Sequence, residues 1–315
     1  MTDTLTTLSA EAKSFYDRKM LDRALPVLAM YKAGQQRDIP SNSGNQVSYR
    51  RVNTLTTATT ALTEGTTPVG ASLSVTEVTG TVAQYGNYVQ VSDALNLMGI
   101  DPIIRESSTL LGENAGQSLE EVIRTELVTG TSVSYATGSA RASQAAANVI
   151  TTALVRKAVR TLEANDAKPF YGSRSDENGQ GGFFLGFIHP NTWYDLIADT
   201  TVLNTVTYSD PDKLYTLKFP ELLGVAWIKT TKAPVFSAAG SGGVDVYGTI
   251  IVGMDAFGVV NVGGTGRFNT IVKPLGSAGS ADPLEQRATI GWKSFQLPKI
   301  LNNNFMTRIE HGVTA

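Results

Sequence analysis

Two histidines, His189 and His311, are the only imidazoles in a 315-residue chain that has no cysteine. Disulfides and Cys-based metal sites are therefore excluded. A metal site would have to be built from Asp, Glu and at most these two His, and neither an HExxH nor an EF-hand spacing occurs. His189 precedes Pro190 at the end of an apolar run, where a hydrogen-bonded structural role outweighs catalysis; His311 is expected in an exposed tail. No GxSxG elbow accompanies any Ser that could act as nucleophile. The glycine-rich GGTGR at 263–267 is followed by the β-like FNTIV, whereas a phosphate cradle opens a helix, so it reads as a turn. Asp210 and Asp212 flank Pro211 and read as a turn too. No catalytic, cofactor-binding or metal-binding residue is assigned, and the chain is not expected to be an enzyme.

What must these residues be built into? Hydrophobic residues make up 42% of the chain, enough for a sizeable core, but charged residues only 17%, against roughly 25% in ordinary globular proteins. A surface of Thr, Ser, Gly, Ala and Asn fits a chain that other chains cover. The net charge of −2 does not mark a nucleic-acid binder. The first fifty-one residues lean basic, with Arg18, Lys19, Arg23, Lys32, Arg37, Arg50 and Arg51. This is read as a solvated face or a weak electrostatic contact with a polyanion or a neighbour's carboxylates. The N-terminus lacks a basic-then-apolar signal, and no apolar run reaches the ~18 residues of a membrane span. A soluble cytoplasmic product is expected.

Along the chain, residues 9–33 have helical spacing of Phe15, Met20, Leu21, Leu25 and Leu28, interrupted at Pro26. QVSYRRVN at 46–53 and LSVTEVTGTVAQYGNYVQVSD at 72–92 read as strands, with phase shifts beside Gly80 and Gly86 that predict bulges. Between them lies a Thr-dense tip, with EGTTPVG at 64–70 as the reversal: eight of the fourteen residues from 54 to 67 are Thr. The predicted object is a long bent hairpin without a core of its own, and such a hairpin needs a surface to lie on. Residues 101–130 give the strongest helix signal, with Pro102 behind Asp101 and a stripe of Ile104, Leu111, Ala115, Leu119, Val122 and Ile123. Gly112 and Gly116 weaken its middle, and Ser118 with Glu121 forms a possible capping box at which it could break. Gly130 ends it. A second amphipathic helix follows in 148–166, then a buried strand at 183–190 and a helix behind an Asn cap at 191. Strands are predicted in 221–236, as a pair in 244–264, and in the runs FNTIVKP and RATIGWKSFQ.

This order resembles the major capsid proteins of tailed bacteriophages with the Hong Kong 97-type fold. GFIHPNTWYDLIAD (186–199) looks like a strand-to-helix stretch common in those shells, ELLGVAWIKTTKAP (221–234) like the strand that follows it and GTIIVGMDAFGVV (248–260) like their return strand. FYDRKMLDRALP (15–26), LTEGTTPVG (62–70), QYGNYVQVSD (84–93) and VKPLGSAGSADPLEQRATIGWK (272–293) are similar to the N-four-like podovirus branch. The resemblance covers nearly the whole chain except 200–220.

It implies an α+β Hong Kong 97-type phage capsid fold in five parts. These are an N-terminal arm at 1–45, an extended β-hairpin loop at 46–92, a peripheral domain at 93–145 with a long spine helix at 101–130, an axial domain at 146–243, and a return to the peripheral domain at 244–315. It implies a shell subunit that forms pentamers and hexamers, with portal, scaffolding and decoration proteins as partners and only weak, non-specific contact with packaged DNA. It would reside in the virion after assembly in the host cytoplasm, with no cofactor. Expected intersubunit contacts on the loop are Arg50, Arg51, Thr59, Glu64, Pro68, Tyr85 and Tyr88. The inner-surface arm would use Arg18, Lys19 and Arg23, and the spine-helix core Ile104, Leu111, Leu119 and Val122. Some shells of this kind are joined by Lys–Asn isopeptide bonds; Lys293 and Asn303 are available, but no motif brings them together, and non-covalent assembly is expected. The alternatives are a bacterial nanocompartment shell of the same fold, a β-rich attachment or decoration module, and, disfavoured, an enzyme.

Overall fold

The structure, a computed structural model, describes residues 28–40, 44–53, 55–67, 70–98, 103–170, 182–202, 221–262, 268–277 and 282–314. Arg18, Lys19, Arg23, Pro68, Asp210, Asp212 and the 263–267 turn lie outside the described residues, as does the side chain of Ile104.

The first sheet is organised around one long strand, β13 (Arg287–Ile300). Along one edge, β4 (Ala83–Ser92) runs antiparallel to it from Arg287↔Ser92 to Gln296↔Ala83. Along the other, β12 (Asn269–Lys273) covers its first half and β11 (Phe257–Val262) its second. β1 (Gln35–Ile39) joins parallel to β11. Helix α3 (Ile103–Val128) lies on this sheet. Its 26 residues give it a length of about 39 Å at 1.5 Å per residue. Leu111, Ala115, Leu119, Ile123 and Leu127 recur every fourth position and are all buried, so one face of the helix seals the core. They pack with Phe257, Val259, Ile290 and Trp292 of the sheet and with Leu28, Met30 and Tyr31 from the chain's first described segment, which holds the short helix α1 (Met30–Ala33). The helix runs unbroken past Ser118. A second short helix, α2 (Asp93–Met98), links β4 to α3.

The second sheet has the order β5-β14-β10-β6-β8-β7, with β9 also paired to β10. Its members are β5 (Val133–Tyr135), β6 (Phe184–Ile188), β7 (Glu221–Leu222), β8 (Val225–Lys229), β9 (Val235–Phe236), β10 (Val246–Val252) and β14 (Met306–His311). Helices α4 (Thr152–Ala164) and α5 (Pro190–Ala198) pack on one face through Val155, Leu162, Trp193 and Leu196. Along β10 the faces alternate: Ile250 and Val252 join the first core, Ile251 the second. A strand buried on both faces belongs in a sheet's interior. This is why the strand pairing divides residues 244–315 differently from the single peripheral return expected from sequence. β10 and β14 belong to the second sheet, and only β11 to β13 belong to the first.

β2 (Gln46–Val52) and β3 (Val75–Thr81) form a separate two-stranded ladder from Gln46↔Thr81 to Val52↔Val75. The chain changes partner at Val82, whose N–H still donates to Asn45 at 2.8 Å, and β4 then pairs with β13. The hairpin proper is therefore 46–81, and residues 83–92 are body. Neither Gly80 nor Gly86 carries a bulge, since both ladders run through them without a slip. At Gly80 the strand passes close to β13, where a Cβ would lie 2.8 Å from the end of the Leu297 side chain. Among the described residues no helix is long and apolar enough to cross a membrane.

Candidate functional site

The root of the hairpin is fixed to the body. Val47 and Tyr49 alternate onto one face and are buried against Val260 and Leu297. Burial raises the Tyr49 phenol's pKa, offset in part by Arg37, whose guanidinium stands 5.5 Å from the ring centroid. Arg37 also donates to the Ser48 carbonyl at 3.2 Å, and the Ser48 hydroxyl donates to Glu77 across the ladder.

Beyond the root, regular pairing stops. After Asn53, whose N–H donates to the Ser74 carbonyl at 2.9 Å, residues 55–67 and 70–74 have no strand ladder, and all of them are exposed. Val52, Leu55, Leu62, Leu73 and Val75 are all more than half exposed, and Leu62 and Leu73 reach 77% and 71%. Covering such side chains is worth about 1.5–3 kcal/mol each. Five large apolar side chains left exposed within one stretch of chain fit a surface that another body covers. Arg50 and Arg51 sit at the last rungs, opposite Glu77 and Thr76, and are exposed; so are Thr59 and Glu64. The two Arg residues also line a cleft of about 730 Å³ beside the root, together with Arg37, Lys168 and Asp255.

The structure divides the expected loop contacts. Tyr85 and Tyr88 lie on β4, in the body: Tyr85 packs partly against the first core, and Tyr88 is 66% exposed. Tyr85 instead meets Val122 in a shallow groove of about 550 Å³ between α3 and the end of β13. Of the expected spine residues, Leu111 and Leu119 are buried, whereas Val122 is half-buried at that groove's edge. Val122 lies three residues beyond Leu119 and off the strict four-residue row.

Sequence reasoning missed two polar constellations. In the first, Glu120 is fully buried, and its carboxylate accepts the backbone N–H groups of Met30 at 2.9 Å and Tyr31 at 3.1 Å. Burial raises its pKa to about 7, against the lowering effect of these hydrogen bonds and of Lys32. Gly112, Gly116 and Glu120 recur at four-residue spacing and are all buried. The glycines that weaken the helix on propensity thus form a second buried row beside the apolar stripe. In the second constellation, Glu310 is fully buried between two guanidinium groups. Arg141 donates to it twice, at 2.8 and 2.7 Å, and Arg308 once at 2.8 Å. Arg308 also donates to the Val128 and Gly130 carbonyls, which ties the C-terminal end of α3 to β14. Burial pushes the Glu310 pKa up, but the two Arg residues outweigh it and hold it below the usual value. The only sequence signal for this cluster was alternation of charge with apolar residues in MTRIEH.

The two histidines are structural. His189, not Asn191, caps α5: its Nδ1 accepts the Asn191 N–H at 3.3 Å. His311 is not in an exposed tail. It is fully buried in β14, with Nε2 3.0 Å from the Thr249 hydroxyl and Nδ1 2.7 Å from the Gly312 carbonyl. β14 lies between β5 and β10, so every residue of this strand is interior. Asn303 accepts the Thr131 N–H at 3.2 Å, while the Lys293 ammonium stands 5.1 Å from the Phe295 ring centroid.

No protein-family model and no curated protein sequence matches the chain. Solved structures do match. The chain is similar to a chain of the cyanophage Pam1 capsid asymmetric unit, with TM-score 0.69 at 16% identity, covering 93% of this chain and 92% of that one. It is similar to the capsid of Ralstonia phage GP4, with TM-score 0.67 at 11% identity, covering 90% and 91%. A virus-like particle from Pyrococcus furiosus matches with TM-score 0.52 at 14% identity, covering 95% and 99%. The fold is the α+β Hong Kong 97-type fold, with an extended hairpin, a long spine helix on one sheet and a second sheet beside it.

Proposed function

We propose that this chain is a major capsid protein, the subunit of a closed icosahedral shell around a phage double-stranded DNA genome. The observation that carries the reading is the hairpin. Its root is anchored in the chain's own body, and its outer part from 55 to 74 extends with exposed apolar side chains and no strand partner among the described residues. A second copy supplies the missing surface, and closed symmetry multiplies many weak contacts. Full-length similarity to phage capsid chains supports the same reading. The stretches at 62–70 and 272–293 favour the N-four-like podovirus branch.

In this reading the first sheet with α3 is the peripheral domain, and the second sheet is the axial domain around pentamer and hexamer centres. Residues 46–81 form the extended loop, and the arm that carries Arg18, Lys19 and Arg23 faces the interior, touching DNA weakly. The protein acts as a structural subunit rather than an enzyme and needs no cofactor. It assembles non-covalently in the host cytoplasm, with portal, scaffolding and decoration proteins as partners, and resides in the virion.

Negative-stain microscopy of protein purified after expression tests this. Closed particles of uniform diameter are the expected result. A folded species that stays a single copy at every concentration and salt tried overturns it. DNA inside virion-derived particles supports the phage shell, and a packaged enzyme in its place supports the nanocompartment reading.

A further inference from the structure

The hairpin carries opposite charges at its two ends. From Val52 to Thr76 the sequence holds one charged residue, Glu64. Glu64 stands at a reversal: the Thr66 N–H donates to the Thr63 carbonyl at 3.2 Å, and Gly65, with φ of 81°, supplies the left-handed backbone that such a turn uses. The turn presents an exposed carboxylate. At the root lies the cleft of about 730 Å³, within the range of roughly 300–1,000 Å³ for clefts that hold a ligand. Arg50 and Arg51 line it from β2, Arg37 from β1 and Lys168 from the segment after α4, beside Asp166 and Asp255. Glu77 lies opposite Arg50 in the ladder and accepts the Ser48 hydroxyl. With Glu77 counted, four cations still stand against three acids. Glu64 is exposed and does not line the cleft of its own chain.

We propose that the cleft at the hairpin root is the seat for the Glu64 turn of a second copy, whose carboxylate pairs with Arg50 and Arg51. This seat presupposes that the outer hairpin is an assembly surface, and it adds the site that receives it. Arginine forks suit a carboxylate because two N–H groups can meet its two oxygens. The contact joins unlike patches, tip to root, so each subunit gives one tip and takes one. Head-to-tail contacts of this kind close into rings when the rotation between copies allows it. The opposite charges guide the approach and fix the register more than they add strength.

Charge reversal in the full-length chain tests this. Glu64→Lys is expected to lower the yield of closed particles by at least about tenfold, because like charges then meet. Arg50→Glu with Arg51→Glu is expected to do the same, and the three changes together to recover most of the yield. All three side chains are exposed, so the melting temperature of the unassembled subunit is expected to hold. Because the chain has no cysteine, a Glu64→Cys subunit mixed with an Arg51→Cys subunit reports the contact directly. A short bismaleimide is expected to link the two into dimers in the mixture and in neither variant alone. Equal linking in either variant alone, a particle yield that Glu64→Lys leaves unchanged, or closed particles without the mixed link each overturn the seat and leave the shell reading standing. Particles that form in normal number but with less DNA after Arg50→Glu with Arg51→Glu assign the cleft to the polyanion and also overturn it. If the wild type forms no closed particles, the shell reading falls; the mixed link in concentrated subunits then decides the contact by itself, and its absence overturns the seat.

Discussion

Two buried titratable groups pull the subunit's stability in opposite directions. In the neutral His311 ring at the end of β14, Nδ1–H donates to the Gly312 carbonyl and Nε2 accepts from the Thr249 hydroxyl, and burial lowers its pKa to about 4. The unfolded chain binds a proton below about 6.5 that the folded chain refuses. Stability from this group is complete above 6.5 and is lost as pH falls toward 4, by roughly 3 kcal/mol in all. Glu120 has the opposite sign, with a pKa raised to about 7: the folded chain holds a proton that the unfolded chain releases, so stability falls from pH 4.5 to 7. Between 4.5 and 6.5 the two slopes oppose, and the wild-type urea midpoint is expected to be nearly level there. His311→Asn, which keeps a donor and an acceptor, leaves Glu120's slope exposed, so its midpoint falls steadily as pH rises from 4.5 to 7. Urea titrations at half-unit pH steps check this; an unchanged pH profile in His311→Asn would sink the assignment. Below pH 4.5 the lowered carboxyls of Glu310, Glu121 and Asp199 add their own acid lability.

At the scale of the element, the spine helix separates residues that the sequence groups together. Leu119 is fully buried on the four-residue row, whereas Val122 faces the groove beside Tyr85. Leu119→Asp places a charge in the first core and is expected to abolish soluble expression. Val122→Asp leaves its carboxylate room to reach water and is expected to cost under about 2 kcal/mol, read as a modest drop in denaturation midpoint. Equal loss of folding in both would show that the groove is closed. The helix itself was legible because Leu111, Ala115, Leu119 and Ile123 recur at four-residue spacing behind the Asp101–Pro102 start signal. The hairpin's root was legible from the alternation of Val47 and Tyr49. What could not be read was partnership. The strand-like run 72–92 looks continuous, yet it changes partner at Val82, and only β13, two hundred residues later, determines that. The bulges read from the phase shifts near Gly80 and Gly86 are absent, and the ladders run through both positions while the partner changes between them. β14 looked like a tail because Arg308, Glu310 and His311 are polar; each is satisfied by a group distant in sequence, which periodicity cannot register. The helix cap at His189 escaped notice because Asn191 is the commoner capping type.

For the whole molecule, the decisive asymmetry is that the hairpin's root packs on its own chain, whereas the described residues of its outer half are exposed. The ladder closes at Val52↔Val75, and Asn53 to Ser74 is the last backbone bond across it. Residues 55–73 therefore contribute little to the subunit's own core, and replacing them with an Asn-Gly turn keeps the ladder's end within reach of a tight reversal. The shortened chain is expected to express, to melt within a few degrees of the full-length subunit, and to keep Val47 and Tyr49 buried. Loop closure costs about (3/2)RT ln n, so cutting a connection of roughly twenty residues to about three lowers that cost by about 1.7 kcal/mol, a modest gain in stability and not a loss. Assembly behaves differently. The shortened chain loses the exposed Leu55, Leu62 and Leu73, and with them the neighbour contacts that the proposed shell assigns to this segment. Sedimentation and microscopy should find unassembled subunits or capsomers and no closed particles. Normal closed shells from the shortened chain would mean that the outer hairpin is not an assembly surface. A shortened chain that cannot fold would mean that the outer half supports its own body, contrary to the exposure of its side chains.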